Sequence, residues 1–153
     1  MEKVIYCQRS DVLNKLLENV YTSICNASCS FSNMRDGELI EDAVKMHLQL
    51  NDKEQKINPV PEFDDNTICH SNAYVGDECV GWMSIKEHVI NHKKEYIIFT
   101  ELLEEYRGAR LVEEMLYKIF TYKDLKNKVL YWYTSSNNTA SIKCAERIGF
   151  VKL

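Results

Sequence analysis

At 153 residues, with 45% apolar and 27% charged side chains, the chain has the size and mix of one folded domain that buries its own core. A formal charge of −4, with no dense block of Lys and Arg, argues against a nucleic-acid partner. The start Met1-Glu2-Lys3-Val4 has no long apolar segment behind it, and no later run approaches the length of a membrane span. The expected location is therefore the cytoplasm, with no membrane partner. In that reducing compartment Cys7, Cys25, Cys29, Cys69, Cys79 and Cys144 are expected to stay free. No two of them have Cys-x-x-Cys spacing, so they read as small buried apolar side chains and no metal site is expected.

Val4 to Gln8 alternates around an apolar centre and predicts a first strand. Ser10 is a good N-cap, and Val12, Leu13, Leu16, Leu17, Val20 and Tyr21 follow it on one helical stripe. Cys25 to Asp36, rich in Ser, Asn and Cys, reads as a loop. A second helix is predicted from about Glu38 to Leu50, with Leu39, Ile40, Ala43, Val44 and Leu48 on one face. Asn51 to Thr67 is polar, has no period and holds both prolines, Pro59 and Pro61. It reads as a long loop, and long loops in compact domains usually serve a function or move.

Strands resume with Ala73-Tyr74-Val75, turn at Gly76-Asp77, and continue from Cys79 to Ile85. A second turn near Asn91-His92-Lys93 leads into a strand from Tyr96 to Leu103. His88 and His92 are four apart, but in a strand–turn region that spacing does not aim both rings at one metal. The third predicted helix carries Leu111, Val112, Met115, Leu116, Ile119 and Phe120 in a wide stripe, as for a helix lying on a sheet. Val129 to Thr134 reads as a buried strand, with Tyr131-Trp132-Tyr133 alternating between core and cleft wall. A fourth helix, Thr139 to Ile148, is predicted to bury Ala140, Cys144, Ala145 and Ile148, and Gly149 suits its C′ position. The order β-α-α-β-β-β-α-β-α predicts one α/β domain over residues 1–153. Its first half is largely antiparallel, and a parallel pair flanks the third helix.

The chemistry concentrates between strand and third helix, at Glu105-Tyr106-Arg107-Gly108-Ala109-Arg110. The first N–H groups of a helix have no partner in the chain and carry partial positive charge. A basic turn at that point is an anion site suited to phosphate.

Three stretches resemble the GNAT acetyltransferase superfamily. Arg107-Gly108-Ala109-Arg110-Leu111-Val112 is similar to its Arg/Gln-x-x-Gly-x-Gly/Ala turn, with Arg110 and Val112 at the two small positions. Asn138-x-x-Ser141-Ile142 followed by Glu146-Arg147-Ile148-Gly149-Phe150 is similar to its Asn-x-x-(Ala/Ser)-Ile…Glu-(Lys/Arg)-x-Gly-Phe helix. Val80-Gly81-Trp82 looks like the Val-Gly-Trp of its third strand. The resemblance covers roughly residues 73–150.

It implies a GNAT-like mixed sheet flanked by helices, lacking the final C-terminal strand or strands, because the chain ends at Leu153 where relatives continue. An open strand edge there suits pairing with a second copy. The implied activity is acetyl transfer from acetyl-CoA, as co-substrate, to a primary amine on a small molecule or peptide. No metal is implied. Residues 107–112 are implied to hold the pyrophosphate, the Leu102 and Leu103 amides the thioester carbonyl and pantetheine, and Asn138 and Ser141 the pantetheine arm. Glu101 and Tyr133 are the candidate general bases. Ala145 occupies the position where many relatives carry a proton-donating Tyr. The alternative is a non-catalytic member that binds CoA or a protein partner, which Arg110, Val112 and Ala145 favour.

Overall fold

A computed structural model describes residues 3–7, 28–33, 56–57, 65–76, 78–107, 110–125 and 128–153. The helices expected after Ser10 and over 38–50 lie outside the described residues. The described strands are β1 (Lys3–Cys7), β2 (Ser28–Cys29), β3 (Ser32–Asn33), β4 (Thr67–Val75), β5 (Glu78–Ile90), β6 (Lys93–Leu102), β7 (Leu130–Ser135) and β8 (Val151–Lys152). Two described helices, α1 (Leu111–Tyr122) and α2 (Thr139–Ile148), are the third and fourth helices expected from the sequence.

The strands form one sheet in the order β2-β4-β5-β6-β7-β1-β8, with β3 also on β4. β6 and β7 are parallel, and the other neighbours are antiparallel. The parallel pair flanks α1, as the element order predicts. The apolar stripe of α1 is buried at Leu111, Val112, Met115, Leu116 and Ile119. It joins Val80, Met83, Ile85, Ile98, Leu130 and Trp132 of the sheet in a common core. α2 ends as predicted: Gly149 has φ 104°, and the Gly149 and Phe150 N–H groups both reach back to the Ala145 carbonyl. Phe150 then packs edge-on against Trp132, ring centroids 6.0 Å apart.

The open edge expected beside the last long strand is closed. β1 runs antiparallel along β7 from Lys3↔Ser135 to Cys7↔Tyr131. β8 pairs on the far side of β1 through Tyr6↔Lys152 and Cys7↔Val151. The backbone groups on the outer side of β7 need partners, and the N-terminal strand supplies them.

β4 begins six residues before the predicted Ala73. The missed part, Ile68-Cys69-His70-Ser71-Asn72, is buried throughout, so it lacks the apolar/polar alternation of a half-exposed strand. His70 is held within and across strands, contacting Ser84 Oγ at 2.6 Å and Asn72 Oδ1 at 2.8 Å. β2, β3 and the buried Ile57, which packs on Tyr74 and Cys79, fall in segments read as loops.

The β5–β6 hairpin turns on Asn91 and His92 alone, both with positive φ (51° and 64°). Two consecutive left-handed residues make a type I′ bend, which matches the strand twist and favours Asn-Gly. Glycine adopts this conformation without strain and Asn at a small cost, whereas His pays for its Cβ. His92→Gly is therefore expected to raise unfolding free energy by about 0.5–1 kcal/mol. Urea titration checks it; an unchanged or lowered midpoint refutes strain at this turn.

Candidate active site

Register along β6 and β7 builds the site. The parallel pairing runs through Tyr96↔Leu130, Ile97↔Tyr131 and Ile98↔Trp132 and then stops. Beyond that point β6 stays on β5 as far as Gly81↔Leu102, while β7 stays on β1 as far as Lys3↔Ser135. Each strand follows its outer partner, and a gap opens between them. The Leu103 N–H bonds the Val80 carbonyl at 2.9 Å. Bonding direction alternates along an antiparallel ladder, so the Leu102 N–H points the other way, into the gap. Of the two amides singled out in the sequence, Leu102's faces the gap and Leu103's is committed to β5.

A cavity of about 590 Å³ lies over this gap, between the start of α1 and the flank of α2. Its sheet side is formed by Thr100, Glu101, Leu102 and Trp132. Arg107, Arg110, Leu111 and Val112 bring the start of α1 to it. Gly108 and Ala109 lie outside the described residues. Arg110 is the N-cap, held at φ 62° and ψ 25°, and makes no side-chain cap. The first intrahelical bond at this end is Glu114 N–H to Arg110 O, 3.1 Å, so the Leu111, Val112 and Glu113 amides have no acceptor in the helix. Leu111 and Val112 are only 1% and 8% exposed and belong to the core, so the bulk at 112 is packed inward.

From α2 come Asn138, Ser141, Lys143, Cys144 and Arg147. Asn138 caps the helix: its Oδ1 accepts the Ser141 N–H at 3.2 Å, which leaves its amide NH2 available to a ligand. Ser141 Oγ accepts the Trp132 Nε1–H at 2.9 Å. Ala140, predicted to be buried, is exposed and lines the cavity with the half-buried Cys144. α2 covers the strand gap rather than a filled layer, so that flank meets the cavity and not a core.

Among the described residues four cationic side chains, Arg107, Arg110, Lys143 and Arg147, line the cavity. Arg147 reaches across to α1, its Nε and Nη2 both donating to Glu113 Oε1, at 3.0 and 2.7 Å.

Glu101 is exposed at the cavity edge, and its Oε2 accepts the Trp82 Nε1–H at 3.2 Å. Tyr133 is not among the cavity residues. Its hydroxyl donates to the Glu95 carboxylate. Burial, then Glu95, pushes its pKa up to about 12, so it keeps its proton at neutral pH. Glu95 was not singled out in the sequence; it meets Tyr133 only through the β6–β7 pairing and has no local signal. Burial and then Glu113 push the Cys144 thiol up to about 11, which leaves it a poor nucleophile. Among the described residues no three His, Cys, Asp or Glu side chains gather as a metal site, and no helix is long and apolar enough to cross a membrane.

The family model described as Acetyltransferase (GNAT) family matches residues 33–150, most of the chain. The chain belongs to the GNAT acetyltransferase family. Among solved structures, the aminoglycoside acetyltransferase meta-AAC0020 from an uncultured soil metagenomic sample, in complex with trehalose, is similar with a TM-score of 0.51. The identity is 7%, over 80% of this chain and 87% of that one. The same protein in complex with sisomicin gives 0.50 at 7% identity and the same coverage. A GNAT-family acetyltransferase from Novosphingobium aromaticivorans DSM 12444 gives 0.51 at 13% identity, over 97% of this chain and 58% of that one. At these identities the likeness is one of fold. No match is found among curated protein sequences. The GNAT match begins at Asn33, so β1, the strand that closes the edge of β7, lies outside it.

Proposed function

We propose that this GNAT protein transfers the acetyl group of acetyl-CoA to a primary amine by direct attack. One observation carries the reading: β6 and β7 part beyond Ile98↔Trp132, and the cavity over the gap also takes in the uncapped start of α1. A long ligand with phosphates at one end and an acyl group at the other needs both features in one cleft.

The residues present fit CoA. The free amides at the start of α1, with Arg107 and Arg110 beside them, suit a diphosphate. Lys143 and Arg147 add positive charge along α2. The Asn138 amide and the strand gap suit the pantetheine arm. Acetyl-CoA supplies a thioester whose carbonyl carbon the amine attacks. The Leu102 N–H, aimed into the gap, donates to the carbonyl oxygen as it gains charge; one such backbone donor is worth ~3 kcal/mol. Glu101 accepts the proton of the amine, directly or through one water. Tyr133 keeps its own proton and does not compete for that role. Ala145 is fully buried and supplies no acid. The Ser141 hydroxyl has its oxygen engaged by Trp132, and its hydrogen can bond the departing thiolate while water brings the proton.

Calorimetric titration with acetyl-CoA is the test of the binding half. Saturable heat that weakens with added salt is expected, because charge-assisted contacts to phosphate are screened. No heat at millimolar ligand ends the reading. For the chemical half, thiol release over a panel of aminoglycosides, polyamines and short peptides is expected to give an N-acetylated product visible by mass spectrometry. Binding without product from any amine would favour the non-catalytic member instead.

A further inference from the structure

We infer that the triplet Val80-Gly81-Trp82 on β5 positions the acyl-transfer machinery of β6, and that Trp82 is the residue that aims Glu101. The inference rests on the reading of Glu101 as base and Leu102 as carbonyl donor. The three residues grip the end of β6 four times. Val80 O accepts the Leu103 N–H at 2.9 Å. Trp82 O accepts the Thr100 hydroxyl at 2.8 Å. Trp82 Nε1 donates to Glu101 Oε2 at 3.2 Å. The fourth contact is steric: a Cβ on Gly81 would stand 2.7 Å from Leu102 Cδ1 and 3.0 Å from the Glu101 carbonyl oxygen. A side chain at 81 therefore has no room unless Leu102 or the Glu101 carbonyl shifts.

Two of the four contacts act on groups the chemistry uses, the indole on Glu101 and the close approach at Gly81 on Leu102, while the other two fix the strand on either side. Glu101 is exposed at a strand end, where a carboxylate would otherwise sample several rotamers. The indole N–H selects one of them. The indole itself is held, because it stacks on the buried His70 ring with centroids 5.8 Å apart and planes at 29°. His70 is fixed in turn by Ser84 and Asn72. The buried polar row of β4 thus ends, through one stacked ring, on the candidate base. On the other side of the triplet, a methyl at 81 crowds the Glu101 carbonyl, which belongs to the same peptide unit as the Leu102 N–H that faces the gap. A displacement of about 1 Å at a reacting centre can cost ~10²-fold in rate.

A double-mutant cycle tests this, with acetyl-CoA and the most rapidly acetylated amine of the panel. Trp82→Phe keeps the stacked ring and removes the donor. It is expected to lower kcat roughly tenfold with KM for acetyl-CoA unchanged. In a Glu101→Gln background the same change is expected to have no further effect on kcat, because it acts through that carboxylate. Equal losses in both backgrounds overturn the positioning role while leaving the acyl-transfer reading in place. Parent-level kcat in Glu101→Gln alone overturns the base itself. A second measurement needs no substrate: the Trp82 indole N–H resonance is expected to shift in Glu101→Gln, and an unmoved signal sinks the contact even if no amine is turned over. Gly81→Ala is expected to shift the Leu102 amide resonance and lower kcat while acetyl-CoA still binds.

Discussion

Glu101→Gln is expected to lower kcat by ~10²–10⁴-fold, the usual worth of a positioned general base. KM for acetyl-CoA is expected to stay near its parent value. The substitution keeps the size of the side chain and removes only its ability to take a proton, and the groups that suit the nucleotide lie elsewhere, on α1 and α2. A loss of kcat with KM unchanged marks an interaction used in the transition state and not in binding. Glu101 fits the role because it stands at the cavity edge with one oxygen held by Trp82 and the other open to a substrate proton. Tyr133→Phe provides the contrast. Its hydroxyl donates to Glu95 and its pKa is pushed up to about 12, so removing that hydroxyl is expected to cost less than about tenfold in kcat. If Tyr133→Phe were the crippling change and Glu101→Gln the silent one, the assignment would be inverted. Steady-state kinetics on the two variants decides it.

Arg147→Ala is expected to be the costliest removal of a charge at the cavity for stability. Glu113 has a side chain only 5% exposed, whereas its partner Arg147 is 45% exposed. Both bonds from the guanidinium fall on Oε1, and Glu113 Oε2 has no partner among the described residues. Without Arg147 the carboxylate stays buried with no counter-charge. Breaking a fully buried pair costs about 3–5 kcal/mol, and discounting for the exposed half of this one leaves roughly 2 kcal/mol. In a domain of this size that lowers Tm by about 4–8 °C. Replacing both partners, Glu113→Leu with Arg147→Met, is expected to recover most of the loss, because no buried charge is then left behind. Thermal melts of the single and double variants give the comparison. A single variant that melts with the parent would show that the pair carries no stability. The same single variant is expected to bind acetyl-CoA less tightly at low salt, with the difference shrinking as salt is added, because it has lost one of the cavity cations.

Much of this was readable along the chain because the rules involved act over a few residues. The stripe Leu111, Val112, Met115, Leu116 and Ile119 follows the helix period, and all five are buried. Asn138 caps α2 and Gly149 ends it, roles set by side-chain reach and by the cost of positive φ. Leu102, Arg107, Arg110, Val112, Asn138 and Ser141 were singled out from the sequence and resemblance, and they line one cavity.

What only the tertiary structure decided depends on which segments pair. Nothing near Lys3–Cys7 says that it will lie between β7 and β8, because an edge strand takes whatever partner the finished sheet offers. Ile68 to Asn72 hides its strand character because both its faces are buried, with His70 held by Ser84 on β5 and Asn72 within β4, and Ser71 by the Ser30 carbonyl. The division of labour between the Leu102 and Leu103 amides is a matter of ladder parity, settled by a single bond to Val80. Glu95 and Trp82 enter the site's surroundings the same way, through Tyr133 and Glu101 on neighbouring strands. Helix periods and caps are written locally because each turn satisfies its own backbone. Sheet register joins residues distant in sequence, and it alone determines which amide points into a gap and which is already bonded.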